Sequence, residues 1–205
     1  MARTLFEKIW SEHVVLERNG MTLMHVDRHI MHDLSSPPAY DILKESGRGA
    51  RNPELALATI DHMIATQPGR TADSYGPSAA FVREHRAGTR AAGIRLLDLD
   101  SPAQGIVHVV APETGAVLPG ATLVCSDSHT CTDGALGALA FGRAPSEAAH
   151  ILATQCLWVR KPRTLGIEVR GTLGAHITAK DLALHIIGAL GAAVGNGHAV
   201  EYFGE

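Results

Sequence analysis

The sequence predicts an α/β fold with helices layered on both faces of a sheet, and three observations predict it. Short β-favouring runs alternate with helical patterns along the 205 residues, with Pro and Gly at the junctions. Aromatic residues make up 4% against 21 glycines, so Ala, Leu, Ile and Val must fill the core, which suits close helix-on-sheet packing. Hydrophobic residues reach 45% and charged ones 19%, the composition of a chain that builds a core.

Taken in order, Thr4-x-x-Glu7 is a capping box opening a helix to about His13. Thr22 to Val26 reads as a short strand that delivers Asp27, Arg28 and His29 at its end. Ser36-Pro37-Pro38 starts a helix through Tyr40, Ile42 and Leu43, stopped near Gly47. Leu55 to Ile60 is a strand ending in Asp61-His62. Asp73 to Ala92 is helical, its start delayed by Gly76 and Pro77, with Gly93 as C-cap. Ile94–Leu99, Gly105–Val110 and Thr122–Cys125 are three β-favouring runs. Ser146-Glu147 opens a helix through Cys156, and Lys161-Pro162-Arg163 breaks it. Leu165 to Val169 is a strand, Thr178-x-x-Asp181 caps a helix through Leu190, and Gly-rich chain leads to Glu201. The boundary falls at Lys161-Pro162, giving a domain over 1–160 and the opening of a second α/β unit over 161–205. There is no internal repeat or low-complexity stretch.

The net charge of -3 provides no basic stripe for nucleic acid and no polybasic patch for a membrane. No apolar run approaches the roughly 18–20 residues of a spanning helix. Glu7, Glu12 and His13 stand where a signal peptide needs an apolar core. The expectation is a soluble, cytoplasmic protein. Cys125, Cys131 and Cys156 form no CxxC pair and read as free thiols.

Twelve histidines are about 6% of the chain, and their placement is informative. Asp61-His62, His108 and Asp127-Ser128-His129 follow or end expected strands, the edge at which open α/β sheets bind ligands. Imidazole titrates near neutral pH, and a neighbouring carboxylate fixes its tautomer and raises its pKa, so the cluster suits acid/base work. Singly, each reads as a structural histidine. A metal site is an alternative, but HxH, HExxH and paired Cys-His spacings are absent. Cys125 beside Asp127 offers a nucleophilic reading weaker than that of a buried thiol. The glycine-rich stretches 134–142 and 191–197 lack the phosphate-loop pattern and read as turns and close packing.

The segments DRHIMHDLSSPPAYD, ATIDHMIATQ, QGIVHVVAPETGAVLPGATLVCSDSHTCTDGALGALAFG, SEAAHILATQCL, ITAKDLALHIIGALG and GHAVEYFGE resemble, in order, the large subunits of 3-isopropylmalate dehydratases in the aconitase family. The resemblance runs from about residue 3 to 205, and DSHT with its flanks is its most specific part. It implies the three-layer α/β/α sandwich of that family. It also implies a hydro-lyase of the leucine-biosynthesis type, acting on a 2- or 3-hydroxy di- or tricarboxylic acid with a [4Fe-4S] cluster. Asp61-His62 match the pair that assists protonation of the leaving hydroxyl. His108 matches a histidine paired with Asp127, and His129 one paired with Glu201. Ser128 and His32 match positions that meet substrate.

Departures accompany the match. The family's cluster-ligating cysteines lie downstream of the stretch matching Glu205, and none of Cys125, Cys131 and Cys156 matches a ligand position. GDSHT is here SDSHT, with Ser126; the histidine after SHTxT is Asp133; and DHN is Asp61-His62-Met63. Three readings of function follow. One is the acid/base half of a hydro-lyase, completed by a small swivelling-domain subunit and a chain carrying the cluster cysteines. Another is a non-catalytic remnant or assembly domain without the cluster. A third is a histidine edge adapted to another metal or another dehydration.

Overall fold

The computed structural model describes residues 3–204. Helix α1 (Leu5–His13) begins at the expected capping box: Thr4 Oγ1 accepts from the Glu7 N–H at 3.1 Å, and Glu7 Oε2 accepts from the Thr4 N–H at 3.0 Å. Strands β1 (Val14–Arg18) and β2 (Met21–His25) follow as an antiparallel hairpin. Asn19 and Gly20 turn it with φ of 54° and 72°, the positive pair that matches strand twist in a two-residue hairpin loop. The expected strand at Thr22–Val26 is therefore one arm of a hairpin outside the central sheet. The chain then enters the sheet through a separate strand, β3 (Arg28–His32).

Helix α2 (Pro37–Glu45) leads to β4 (Ala56–Thr59), then α3 (Ala79–Ala92), ended by Gly93 at φ 71°, and β5 (Arg95–Leu97). Gly105–Val110 departs from expectation. Despite its β-branched residues, helix α4 (Val107–Glu113) forms there. Its first free N–H, on Val107, is taken by Asp61 Oδ2 at 2.7 Å, a tertiary contact that outweighs local strand propensity. Next come β6 (Thr122–Cys125), a 3-10 turn over Thr130–Leu136, β7 (Leu139–Gly142) and α5 (Pro145–Thr154). Cys156 lies outside that helix and opens β8 (Cys156–Val159), which pairs antiparallel with β2.

The central sheet has the order β5-β4-β3-β6-β7, all parallel. Adjacent side chains of a strand face opposite ways, and here both faces are buried. Ile30, Leu57 and Leu123 pack with Val107, Val110 and Ala111 of α4 on one face. Met31, Ala56 and Ala58 pack with Tyr40 and Leu43 of α2 and Ala149 and Leu152 of α5 on the other. This is the helix–sheet–helix layering the sequence predicts.

The chain divides into two compact units at Val159/Arg160. In the second, β9 (Arg163–Val169) and β10 (His198–Gly204) pair in parallel, with Glu201 opposite Gly166. Between them runs α6 (Ala179–Leu190), opened by the Thr178–Asp181 capping box. The stretch read as Gly-rich chain before Glu201 is thus partly strand. Among the described residues no helix is long and apolar enough to cross a membrane.

Candidate active site

Strand order reverses between β3 and β6: β4 and β5 build outward from one side of β3, while β6 and β7 continue from the other. The carboxyl ends of strands at such a switch point form a natural ligand crevice. His32 ends β3, Asp61 and His62 follow β4, and Asp127 follows β6, so the order itself brings these residues together. The opposite end of the sheet is stitched shut. There Asp27 accepts from the Thr122 N–H at 2.8 Å and from His13 Nε2 at 2.7 Å, which accounts for that histidine structurally.

Asp33, fully buried just after β3, shapes the loop carrying Asp61 and His62. Its Oδ1 accepts from the N–H groups of Asp61 (2.9 Å) and His62 (3.1 Å), and its Oδ2 from that of Met63 (2.6 Å). Held this way, Asp61 takes His62 Nδ1–H on Oδ1 at 2.6 Å and the start of α4 on Oδ2.

From His62 a chain of alternating imidazoles and carboxylates crosses the crevice. His62 Nε2–H donates to Asp127 Oδ2 at 3.1 Å, and His108 Nε2–H to Asp127 Oδ1 at 2.8 Å. His108 Nδ1 lies 3.1 Å from Asp133 Oδ2. The hydrogen bond to Asp61 is the largest influence on His62; it outweighs burial and, with Asp127, pushes the His62 pKa up to about 9. Burial works against the charge on Asp127, but the His129 N–H, His108 and His62 overcome it and hold the carboxyl down to about 2. At neutral pH the centre is an imidazolium at His62, hydrogen-bonded to Asp61 on one side and to an ionised Asp127 on the other.

His32 is the counterpart of His62. The two rings stack with centroids 3.9 Å apart and planes at 20°. His32 Nε2–H is shared between Ser35 Oγ (2.8 Å) and the Ser126 carbonyl (3.1 Å). Burial first, then the adjacent His62 charge, lowers its pKa, so it is neutral beneath a cation. His129 is 81% exposed, its backbone N–H on Asp127 Oδ1 at 2.7 Å and its Nδ1 3.3 Å from Ser128 Oγ. A cavity of about 570 Å³ opens beside Asp127, lined among others by Ser126, Ser128, Cys131 and Arg143.

The first unit therefore gathers Asp61, His62, His108, Asp127, Ser128, His129 and His32. Glu201 belongs to the second unit, on β10. One sequence expectation is corrected: His108 stands in the first turn of α4, not on a strand. Asp33 was not legible as a site residue. Its signal is a carboxylate placed directly after a strand, but β3 itself was missed.

His32, Asp33, Asp61 and His62 each place one donor atom within 4.8 Å of the others, the one such set of metal-capable groups among the described residues. Most of those donors are already engaged, His32 Nδ1 being the exception. Asp33 accepts three backbone N–H groups, and both His62 nitrogens face carboxylates. The arrangement suits proton handling.

Comparison with known proteins now decides the lineage. The family model described as the aconitase family (aconitate hydratase) matches residues 7–205. This chain belongs to the aconitase family. It is 49% identical over 204 residues to 3-isopropylmalate dehydratase large subunit 1 of Bradyrhizobium diazoefficiens, covering 99% of this chain. The chain spans 43% of that relative's length.

The aconitase family implies a [4Fe-4S] cluster, and the cysteines here do not fit one. Cys125 is fully buried in the core at the end of β6, and burial pushes its thiol up, away from the thiolate a metal requires. Cys131 lies exposed on the 3-10 turn, and Cys156 lies on β8 in the other sheet of the unit. The same burial removes Cys125 as a nucleophile.

Proposed function

We propose that this chain supplies the histidine–carboxylate machinery of an isopropylmalate-dehydratase-type hydro-lyase, which dehydrates and rehydrates a hydroxy di- or tricarboxylic acid. The single observation that supports it most is the Asp61–His62–Asp127–His108 chain at the switch point of the sheet. A non-catalytic remnant has no physical reason to keep two imidazoles each hydrogen-bonded between two carboxyl groups.

In a dehydration the C–O bond breaks as the hydroxyl takes a proton and departs as water. The neighbouring carbon gives its proton to a base, and the electron pair of that C–H bond forms the double bond. Hydroxide is a poor leaving group, so a positioned acid is needed. His62 fills that role: it is protonated at neutral pH, its side chain is 28% exposed, and its bond to Asp127 is the longer of its two. Asp61 steadies the ring throughout. His129 is a second acid/base group at the crevice mouth. Arg143, Ser126 and Ser128 give the adjoining cavity a cation and hydroxyls for a substrate carboxylate. Since the cysteines here do not fit the cluster, its ligands are assigned to segments or chains beyond the described residues, and a small subunit closes over the substrate.

His62→Gln in the enzyme assembled from this chain and its partners tests the proposal. Turnover should fall on the order of 10²–10⁴-fold with substrate binding largely kept. Unchanged turnover would remove His62 from the chemistry.

A further inference from the structure

Asp133 is the outer end of the carboxylate–imidazole chain, and nothing in the reaction as read above requires it. Its side chain is completely buried in the turn after β6. Oδ2 meets His108 Nδ1 at 3.1 Å, while Oδ1 is buried and has no hydrogen-bond partner. A buried carboxylate is costly to charge unless a cation meets it, and His108 is the group that does. The ring in turn has carboxylate oxygens on both nitrogens, Asp133 on Nδ1 and Asp127 on Nε2. An ionised carboxylate only accepts, so with both ionised both ring nitrogens must carry protons.

We infer that Asp133 is a positioning residue that holds His108 as a doubly protonated imidazolium and, through it, keeps Asp127 aligned on His62. A neutral imidazole would leave one of its two carboxylates facing a lone pair. Pinned as a cation between two anions, His108 cannot accept a proton and serves as a fixed charge on Asp127 Oδ1. That leaves Asp127 Oδ2 to orient the His62 donor. Helix α4 packs against β3, β4 and the 3-10 turn. The charged groups facing His108 are Asp133 from that turn and Asp127 from the end of β6; His62 and His129 reach it through Asp127. Burial opposes the charge on His108, but Asp133 and Asp127 outweigh it and its pKa is raised. A neutral ring with the proton on Asp133 instead is the outcome that would overturn this placement.

The test is the ring ¹⁵N and ¹H resonances of His108 in the full chain, labelled at histidine and assigned by their loss in His108→Gln. At about pH 7.5, one unit above the ordinary imidazole value, both nitrogens should carry protons. Asp133→Asn should lower the His108 midpoint by about one unit or more, and Asp133→Glu should restore it. A ring with no proton on Nδ1 in the native chain, or a midpoint unmoved by Asp133→Asn, would overturn the inference. Should Asp133→Asn not fold, the native spectrum decides alone. The catalytic consequence rests on the hydro-lyase reading, but protonation is read without turnover, so either can fail while the other stands.

Discussion

Two stacked histidines 3.9 Å apart sit in opposite protonation states because their surroundings differ. His32 loses its charge to burial and to its neighbour, while His62 gains one from Asp61 and Asp127. Residue chemistry at this site is thus set by the neighbours each ring meets. His129 differs again: its ring is open to solvent with Nδ1 3.5 Å from Asp127 Oδ1, and its backbone N–H is fixed by the same oxygen. If it exchanges protons with substrate, His129→Ala should lower turnover of the assembled enzyme on the order of 10²–10⁴-fold. Because its side chain buries little, thermal stability should stay within about 0.5 kcal/mol of native. A fold-intact variant with native turnover would assign His129 to the surface.

At the scale of elements, close backbone approaches fix the crevice. Gly142, at the end of β7, pairs with Cys125, and a Cβ there would stand 2.7 Å from the Asp127 carbonyl oxygen. Backbone has to move to admit it, so Gly142→Ala should cost about 1–3 kcal/mol and lower activity by displacing Asp127. A native melting temperature and native turnover would contradict that. Gly88 on α3 similarly seats the Tyr40 ring of α2, which a Cβ at that position would overlap. Much of this layer was legible in sequence: the Thr4–Glu7 and Thr178–Asp181 boxes and the Gly93 C-cap are local signals that act locally. Tertiary decisions were not. Val107 and His108 became helical because Asp61 caps that turn from another loop, and β3 was hidden behind a hairpin whose Asn19-Gly20 signal went unused. For the same reason the histidines at the sheet's edge were found, while Asp33, which arranges their loop, was not.

For the molecule as a whole, stability should depend on pH from both sides. His29 and His85 are buried and neutral, their pKa values lowered by burial to about 4. Their contribution is fully present above the unfolded value near 6.5 and is lost as pH falls toward 4, on the order of 3 kcal/mol for each. His62 runs the other way: raised to about 9, it stabilises fully below 6.5 and loses that contribution as pH rises through 9. Melting temperature should therefore peak near pH 6.5 and decline toward 4 and toward 9, as thermal scans across that range would read. A profile flat from 6.5 to 4 would mean the two buried histidines are not neutral in the fold. Iron and acid-labile sulfide should be absent after anaerobic reconstitution of this chain alone, since its three cysteines lie in separate elements. A stoichiometric cluster would redraw the site around them.

Asp127 joins both halves of the proton-handling chain, accepting from His62, His108 and the His129 backbone. The most direct measurement is turnover of a hydroxy di- or tricarboxylic acid by the assembled enzyme with Asp127→Asn against the native chain. A loss on the order of 10²-fold or more, with the fold retained, is the predicted result. Equal turnover by a folded Asp127→Asn enzyme would contradict the assignment of the chemistry to this crevice.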